Sequence, residues 1–292
     1  MALLSQVLKA KEKTFSFEVF PANTPESYSR LLETIKQLCA LKPDFISCTY
    51  GAGGGSRDKT FDIVEHIQTA YGIPSMAHLT CVGHTRAEIQ AILDEFERRK
   101  ITNILALRGD PPKDKGGALE KPGDFRYSSD LVAFIRSRFQ DKVSIGVAGF
   151  PEKHLLAPDV DSDADFLKQK ILAGADFVIT QLFFDNRRYF DYVKRLRKIG
   201  VNSRIIPGIL PITDYEGLKR FCEKCGATVT PEVHAIFGPI AKDPAQTLKA
   251  GIDFAVKQCR ELLDFGAPGI HFYTLNKMHP TDTVLQSIRG TG

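Results

Sequence analysis

The chain has 292 residues, 43% of them hydrophobic and 25% charged, with a net charge of +4. This is ordinary for a globular protein, long enough to bury a sizeable core as one domain, and short of the single-sign charge expected of a nucleic-acid binder. Arg98-Arg99-Lys100 and Arg195 to Lys198 read as solvated helix ends, and no run of about 18 apolar residues suggests a membrane span.

In chain order, residues 1–13 end in Lys-Ala-Lys-Glu-Lys and lack the apolar stretch and cleavage site of a secretory leader, so a cytoplasmic location is expected. Strand-like apolar runs then fall at 15–20, 45–50, 75–81, 103–108, 143–150, 177–184, 204–210 and 270–275. Most are nearly continuous in apolar residues, as in strands covered on both faces. Helix-like stretches lie between them. Leu31, Leu32, Ile35 and Leu38 form one apolar stripe, and Ile89, Ile92, Leu93 and Phe96 another. Thr85 followed by Glu88 predicts a capping box, and Gly174 and Gly200 predict helix stops.

Eight strand–helix repeats of about 30 residues, with no linker or composition break, predict an α/β fold: a single (β/α)8 TIM barrel spanning 1–292. Two segments depart from the repeat. Residues 111–126 are a polar Gly/Pro/Lys-rich excursion, and residues 228–266 hold an extra helical segment before the eighth strand, suited to a rim extension or a subunit contact. Six scattered cysteines do not form a disulfide framework. Cys39, Cys48, Cys81 and Cys259 read as buried small hydrophobes, and Cys222 and Cys225 as residues of an ordinary helix rather than a zinc or redox pair.

Chemistry in such a barrel sits at the C-terminal strand ends. There the sequence places Glu18, Thr49, Tyr50, His78, Arg108, Asp110, His154, Gln181 and Tyr273. Glu18 lies within an aromatic strand, Phe15-Ser-Phe-Glu-Val-Phe-Pro21, an environment that disfavours the ionised carboxylate and suits a proton donor. The glycine-rich 51–55 allows close approach of a ligand but matches neither a dinucleotide fingerprint nor a P-loop. Arg108 and Asp110 form either a structural ion pair or a site for a phosphate and a heterocycle edge. Gln181 can donate and accept, Phe183, Phe184, Phe221 and Tyr273 are candidates to stack on flat rings, and Phe183 and Phe184 are equally candidates for the core. No metal-binding pattern and no Ser-His-Asp or Cys-His arrangement is evident.

Taken together, the motifs Phe15 to Pro21, Thr49-Tyr50-Gly51, Ala77-His-Leu-Thr-Cys81, Ala106-Leu-Arg-Gly-Asp110, Pro151-Glu-Lys-His154, Ile179-Thr-Gln-Leu-Phe-Phe-Asp185, Ile206-Pro-Gly-Ile-Leu-Pro211 and His271-Phe-Tyr-Thr-Leu-Asn276 resemble the short bacterial type of the methylenetetrahydrofolate reductase family over essentially the whole chain. The resemblance implies FAD at the barrel mouth, reduced by NAD(P)H and reoxidised by methylenetetrahydrofolate to give methyltetrahydrofolate, a step of one-carbon metabolism and methionine biosynthesis. It implies catalytic roles for Glu18 (general acid), Asp110 (flavin and pterin) and Gln181 (substrate reading). By the same resemblance the cofactor is bound by Thr49, His78, Arg108, Gly109, Asp110, Tyr127, Ser128, Ala148, Phe150, His154, Asp163 and Lys170. The substrates are bound by Glu18, Tyr50, Asp110, Gln181, Phe221, Tyr273 and Lys277.

The chain departs from the family pattern at Phe150, often Tyr, and at Lys277, often Arg; Asp163 is placed by counting back from Lys170. No C-terminal regulatory domain follows the barrel in this sequence, so inhibition by adenosylmethionine is not expected. Small-molecule substrates, no nucleic acid, a homo-oligomer and room for a partner redox subunit complete the expectation. Two rivals stay open: a flavin-free pterin methyltransferase, and a folate-binding subunit of a larger redox complex.

Overall fold

Helices and parallel strands alternate along the chain in the computed structural model, which describes residues 2–50, 57–110 and 123–289. The glycine-rich 51–56 and residues 111–122 of the polar excursion lie outside the described residues. The strands are β1 (Thr14–Val19), β2 (Phe45–Cys48), β3 (Ser75–Thr80), β4 (Asn103–Leu107), β5 (Ser144–Gly149), β6 (Phe177–Thr180), β7 (Arg204–Ile206), β8 (Gly208–Ile209) and β9 (Gly269–Tyr273). The helices are α1 (Leu4–Ala10), α2 (Pro25–Ala40), α3 (Arg57–Tyr71), α4 (Arg86–Arg98), α5 (Ser128–Phe139), α6 (Val160–Leu172), α7 (Asn186–Lys198), α8 (Tyr215–Cys225), α9 (Pro231–Phe237), α10 (Pro244–Asp264) and α11 (Thr281–Arg289).

The sheet runs β7-β6-β5-β4-β3-β2-β1-β9-β8, every pair parallel. Only Pro207 separates β7 from β8, so one stretch of chain pairs with β6 at its start and with β9 at its end. It is the seventh of eight staves and closes the barrel. Pro207 has no N–H to give, but its carbonyl accepts the His271 N–H at 2.9 Å. The next N–H, of Gly208, goes to the Thr180 hydroxyl at 3.0 Å. The expected seventh strand is therefore present but broken in its ladder at the proline, and the sixth is shorter than the 177–184 run suggested.

Strand alternation sorts the apolar residues into two layers. Phe17, Val19, Ile46, Leu79, Ile104, Val147, Val178 and Phe272 face outward, in one cluster with the helix stripes of Leu31, Ile35 and Leu38 and of Ile89, Ile92, Leu93 and Phe96. Phe45, Met76, Leu105, Phe177, Ile179 and Ile206 fill the barrel interior at its N-terminal end, and Leu4 and Leu8 of α1 cap them. This plug is tied on by the Leu4 N–H to Asn103 Oδ1 (2.8 Å), the Ser5 N–H to Ser144 Oγ (2.9 Å) and Arg204 Nη1 to the Leu8 carbonyl (2.7 Å).

The capping box at Thr85 and Glu88 starts α4 as expected, and Gly174 and Gly200 follow the ends of α6 and α7 with positive φ. At the basic helix ends Arg98 is exposed while Arg99 and Arg195 are partly buried, and all are paired: Arg98 and Arg99 with Glu95, and Arg195 with Asp161 at 2.9 Å. The segment before the last strand forms α9 and α10, packed with α8 around Phe184, Leu210, Tyr215, Leu218, Cys222, Val233 and Phe237. Cys39, Cys48, Cys81 and Cys259 are buried free thiols. Among the described residues no helix is long and apolar enough to cross a membrane.

Candidate active site at the barrel mouth

Above the apolar filling, the inward positions of the strands turn polar. The register sets Glu18 of β1 beside Ser47 of β2 on one flank and Tyr273 of β9 on the other, and sets Ser16 beside His271. His78 Nε2 stands 3.4 Å and His271 Nε2 3.7 Å from the same carboxylate oxygen, Glu18 Oε2. Ser16 Oγ lies 2.8 Å from His271 Nδ1 and Ser47 Oγ 3.5 Å from its Nε2. The Phe45 ring stacks on the His271 imidazole with centroids 5.6 Å apart. The Glu18 side chain keeps 16% of its exposure, while His271 is fully buried.

The aromatic residues beside Glu18 in sequence are thus not its surroundings. Alternation sends Phe17 outward against Phe272, 6.2 Å between centroids, and leaves Glu18 facing hydroxyls and imidazoles. Burial pushes His78 down to about 4, opposed by the Glu18 carboxylate and reinforced by His271, so His78 is neutral near pH 7. Its Nε2 is buried without a hydrogen-bond partner. The strand end is pinned by the Thr274 hydroxyl, which donates to the Glu18 carbonyl at 2.6 Å, and by Asn276, which bonds both the N–H and the carbonyl of Phe20.

A second group gathers at the ends of β4 and β5 and along α6. Lys170 Nζ donates to the Ala148 carbonyl at 2.9 Å and lies 5.6 Å from the Phe150 ring centre. Phe150 meets His154 edge to face at 4.8 Å, and the His154 N–H donates to Asp163 Oδ1 at 3.2 Å. Burial pushes Lys170 down to about 8 against the pull of Asp163, pushes His154 down, and pushes the Asp163 carboxyl up. His154 also feels the charges of Asp163, Lys170, Asp110 and Arg108, which places the β4 end against this group.

Gly109 makes that turn possible: its φ is +79°, and a Cβ there would meet Thr80 Cβ at 2.8 Å. Arg108 Nε donates to the Arg126 carbonyl at 3.2 Å. Tyr127, half exposed, stacks on Phe166 at 6.5 Å just before Ser128 opens α5.

Gln181 follows β6, and its Oε1 accepts the Leu182 N–H at 2.9 Å. It lines one hollow with Phe150, Leu182, Cys225 and Ala227. One residue earlier, the Thr180 carbonyl accepts the Tyr273 hydroxyl at 2.6 Å. That contact needs Gly208, where a Cβ would sit 2.3 Å from the Thr180 carbonyl oxygen and 2.6 Å from the Tyr273 ring. Burial pushes the Tyr273 phenol up, and Glu18 and Cys225 add to the effect.

Other expected residues take simpler places. The Thr49 N–H bonds the Val19 carbonyl at 3.0 Å. Tyr50 meets His84 edge to face at 6.4 Å, and Lys277 Nζ reaches Thr213 Oγ1 at 3.4 Å. Phe221 is 40% exposed on α8, outside the contacts above. Phe183 and Phe184 are core, the first stacked on Tyr189 at 5.8 Å.

Sequence reasoning missed His271, Ser16 and Ser47, although His271 and Tyr273 share the inward parity of their strand. It also missed Cys225 as part of the wall beside Gln181.

A methylenetetrahydrofolate reductase family profile matches residues 3–289. The chain is 37% identical over 286 residues to "Methylenetetrahydrofolate reductase (NADH) 1" of Arabidopsis thaliana, covering 94% of this chain and 48% of the plant protein. It is 35% identical over 262 residues to "5,10-methylenetetrahydrofolate reductase" of Pectobacterium carotovorum subsp. carotovorum, covering 90% of this chain and 85% of that protein. It spans about half the length of the plant and yeast relatives that it matches. Among solved structures, an uncharacterized Clostridium thermocellum protein that binds two copies of 5-methyl-5,6,7,8-tetrahydrofolic acid superposes with a TM-score of 0.63 at 15% identity, covering 98% of both chains, a likeness of fold. By the profile match and the bacterial relative, this chain belongs to the methylenetetrahydrofolate reductase family.

Proposed function

We propose that this chain, as one barrel domain, reduces 5,10-methylenetetrahydrofolate to 5-methyltetrahydrofolate with electrons from a nicotinamide through FAD. The observation that carries the reading is the placement of a carboxyl group, Glu18, among neutral polar side chains on one side of the mouth, with a cationic cluster on the other. The donor set suits a flavin dinucleotide. Arg108, His154 and Lys170 offer positive or hydrogen-bonding groups to a pyrophosphate, Phe150 and Tyr127 offer rings, and Thr49, His78, Gly109, Ser128, Ala148 and Asp163 complete the cradle. FAD, when bound, accepts hydride from the nicotinamide and returns it to the folate.

Every other step belongs to the chain's own residues. Asp110 binds the pterin edge, Gln181 reads the carboxamide of one ligand and the pterin of the other, and Tyr273, Tyr50 and Phe221 line the slot for flat rings. Lys277 meets the anionic tail. Glu18 gives its proton to the nitrogen that leaves the bridging carbon. The C–N bond breaks with its electron pair on that nitrogen, and the carbon is left ready for hydride.

Glu18→Gln tests the assignment. Stopped-flow measurement of the two half-reactions should show flavin reduction by the nicotinamide retained and folate reduction lowered by at least about two orders of magnitude, the usual scale for a general acid. Equal loss in both would overturn the role of Glu18. A purified protein with no flavin absorbance and no flavin uptake would overturn the whole reading in favour of a pterin methyltransferase.

A further inference from the structure

Resting on the reading of Glu18 as proton donor, we propose that His271 is a positioning residue that, held by Ser16 and working with His78, directs the transferable proton of Glu18 onto Oε1. The two imidazoles approach a single oxygen. His78 Nε2 and His271 Nε2 lie 3.4 and 3.7 Å from Glu18 Oε2. His271 has no freedom to turn away. It is fully buried, stacked on Phe45, met edge to face by Tyr273 at 5.6 Å, and bonded at Nδ1 by Ser16 at 2.8 Å.

In this assignment the Ser16 hydroxyl donates to Nδ1, so that Nε2 carries the imidazole proton and faces Oε2 and Ser47. Each imidazole stands just outside a formed hydrogen bond in this structure, and with both Nε2 atoms protonated and drawn onto Oε2 that oxygen accepts whether Glu18 is protonated or ionised. The acid proton then sits on Oε1, and when it leaves, both N–H groups stabilise the new carboxylate without rearrangement.

The groups that face this pair from each packed strand are few. Ser47 comes from β2, His78 from β3 and Tyr273 from β9, while Cys48 of β2, on the outward face, senses only the Glu18 charge. The thiol and the phenol are held protonated by burial, which leaves the imidazoles as the partners of the carboxyl.

The test uses holoprotein. In His271→Leu and, as a milder change, Ser16→Ala, single-turnover oxidation of the reduced enzyme by methylenetetrahydrofolate should fall about 10-fold or more. The midpoint of its pH profile should move, and reduction by the nicotinamide should keep its rate. His271→Gln, whose amide N–H can reach the same oxygen, should recover most of the rate.

Long-range proton–nitrogen NMR of the histidine-labelled protein reads the placement without folate. His271 should carry its proton on Nε2, and Glu18→Gln should move the ring-nitrogen signals of both His271 and His78. Wild-type rates and pH profile in both variants, equal loss in both half-reactions, or a His271 proton found on Nδ1 would each overturn the proposal. If wild-type holoprotein reduces no folate, the functional reading falls, and the NMR result alone decides whether the two imidazoles engage Glu18.

Discussion

Replacing His78 by Asn should make the protein less sensitive to acid. Burial holds the His78 imidazole near 4, against its ordinary 6.5. Above pH 6.5 neither the folded nor the unfolded chain protonates it, so it adds no pH dependence there. Between pH 6.5 and 4 the unfolded chain binds a proton that the folded chain refuses, and stability falls by roughly 1.4 kcal/mol per pH unit as pH drops. Over about 2.5 units this amounts to about 3 kcal/mol. Asn does not titrate, and its amide can still face Glu18 across the 3.4 Å gap.

Urea unfolding of both proteins at pH 7 and pH 4.5 measures the effect. The variant should be the less stable at pH 7, from lost packing. The difference between the two proteins should then shift in its favour by about 2 to 3 kcal/mol at pH 4.5. Carboxylates elsewhere titrate equally in both and cancel. A difference that stays constant within about 0.5 kcal/mol would refute the desolvation argument, because it would mean that Glu18 takes up the added charge at no net cost.

Two further outcomes are expected. Lys170 loses its charge as pH rises through about 8, so flavin affinity of the apoprotein, followed by fluorescence quenching, should weaken across that range. Lys170→Met should weaken binding about tenfold or more at pH 7 and flatten the pH dependence. Asn103→Ala should cost about 2 to 3 kcal/mol in urea unfolding while leaving flavin binding intact, because it cuts the buried bonds to Leu4 N–H and the Ser75 carbonyl that anchor the plug at the opposite end of the barrel.

The staves of the barrel were legible because their outward residues are β-branched, aliphatic or aromatic and pack against helix stripes such as Ile89, Ile92, Leu93 and Phe96. The plug was not. Leu4 and Leu8 are the two buried residues of a seven-residue helix whose N-cap, Leu3, makes no side-chain bond, too little pattern to separate from a loose terminus. Pro207 gave a visible break, yet which neighbour each half of the seventh stave chooses depends on closing the sheet, a long-range matter.

At the site, the strand-end positions of Glu18, Arg108, His154 and Gln181 could be read from local sequence, and motif resemblance supplied their roles. The surroundings of Glu18 could not be read that way. A linear glance at Phe-Ser-Phe-Glu-Val-Phe suggests an aromatic pocket, whereas the period of two removes Phe17 to the far face and brings in His78 and His271 from strands 60 and more residues away. Counting parity from Glu18 through the register to Tyr273 and His271 recovers the missed histidine.

The change from apolar to polar inside the barrel is abrupt, and its position argues for a functional reason. Phe45 gives way to Ser47 on β2 and Met76 to His78 on β3, each within one inward step. The lower layer shows that aliphatic and aromatic side chains fill this interior well. Continuing them upward would avoid the desolvation of two imidazoles and leave no buried Nε2 without a partner. A layer that costs stability, yet brings imidazoles from β3 and β9 to one carboxyl oxygen of β1, with hydroxyls of β1 and β2 on the second imidazole, is organised around that carboxyl rather than around the core. The same reasoning separates Lys170 from an ordinary surface lysine. Its ammonium is carried beside the Phe150 ring to the Ala148 carbonyl, within the field of Asp163, and it gives up part of its basicity there. His78, His271 and Lys170 lie toward the C-terminal ends of the strands, whereas at the opposite end, covered by α1, the barrel filling is apolar.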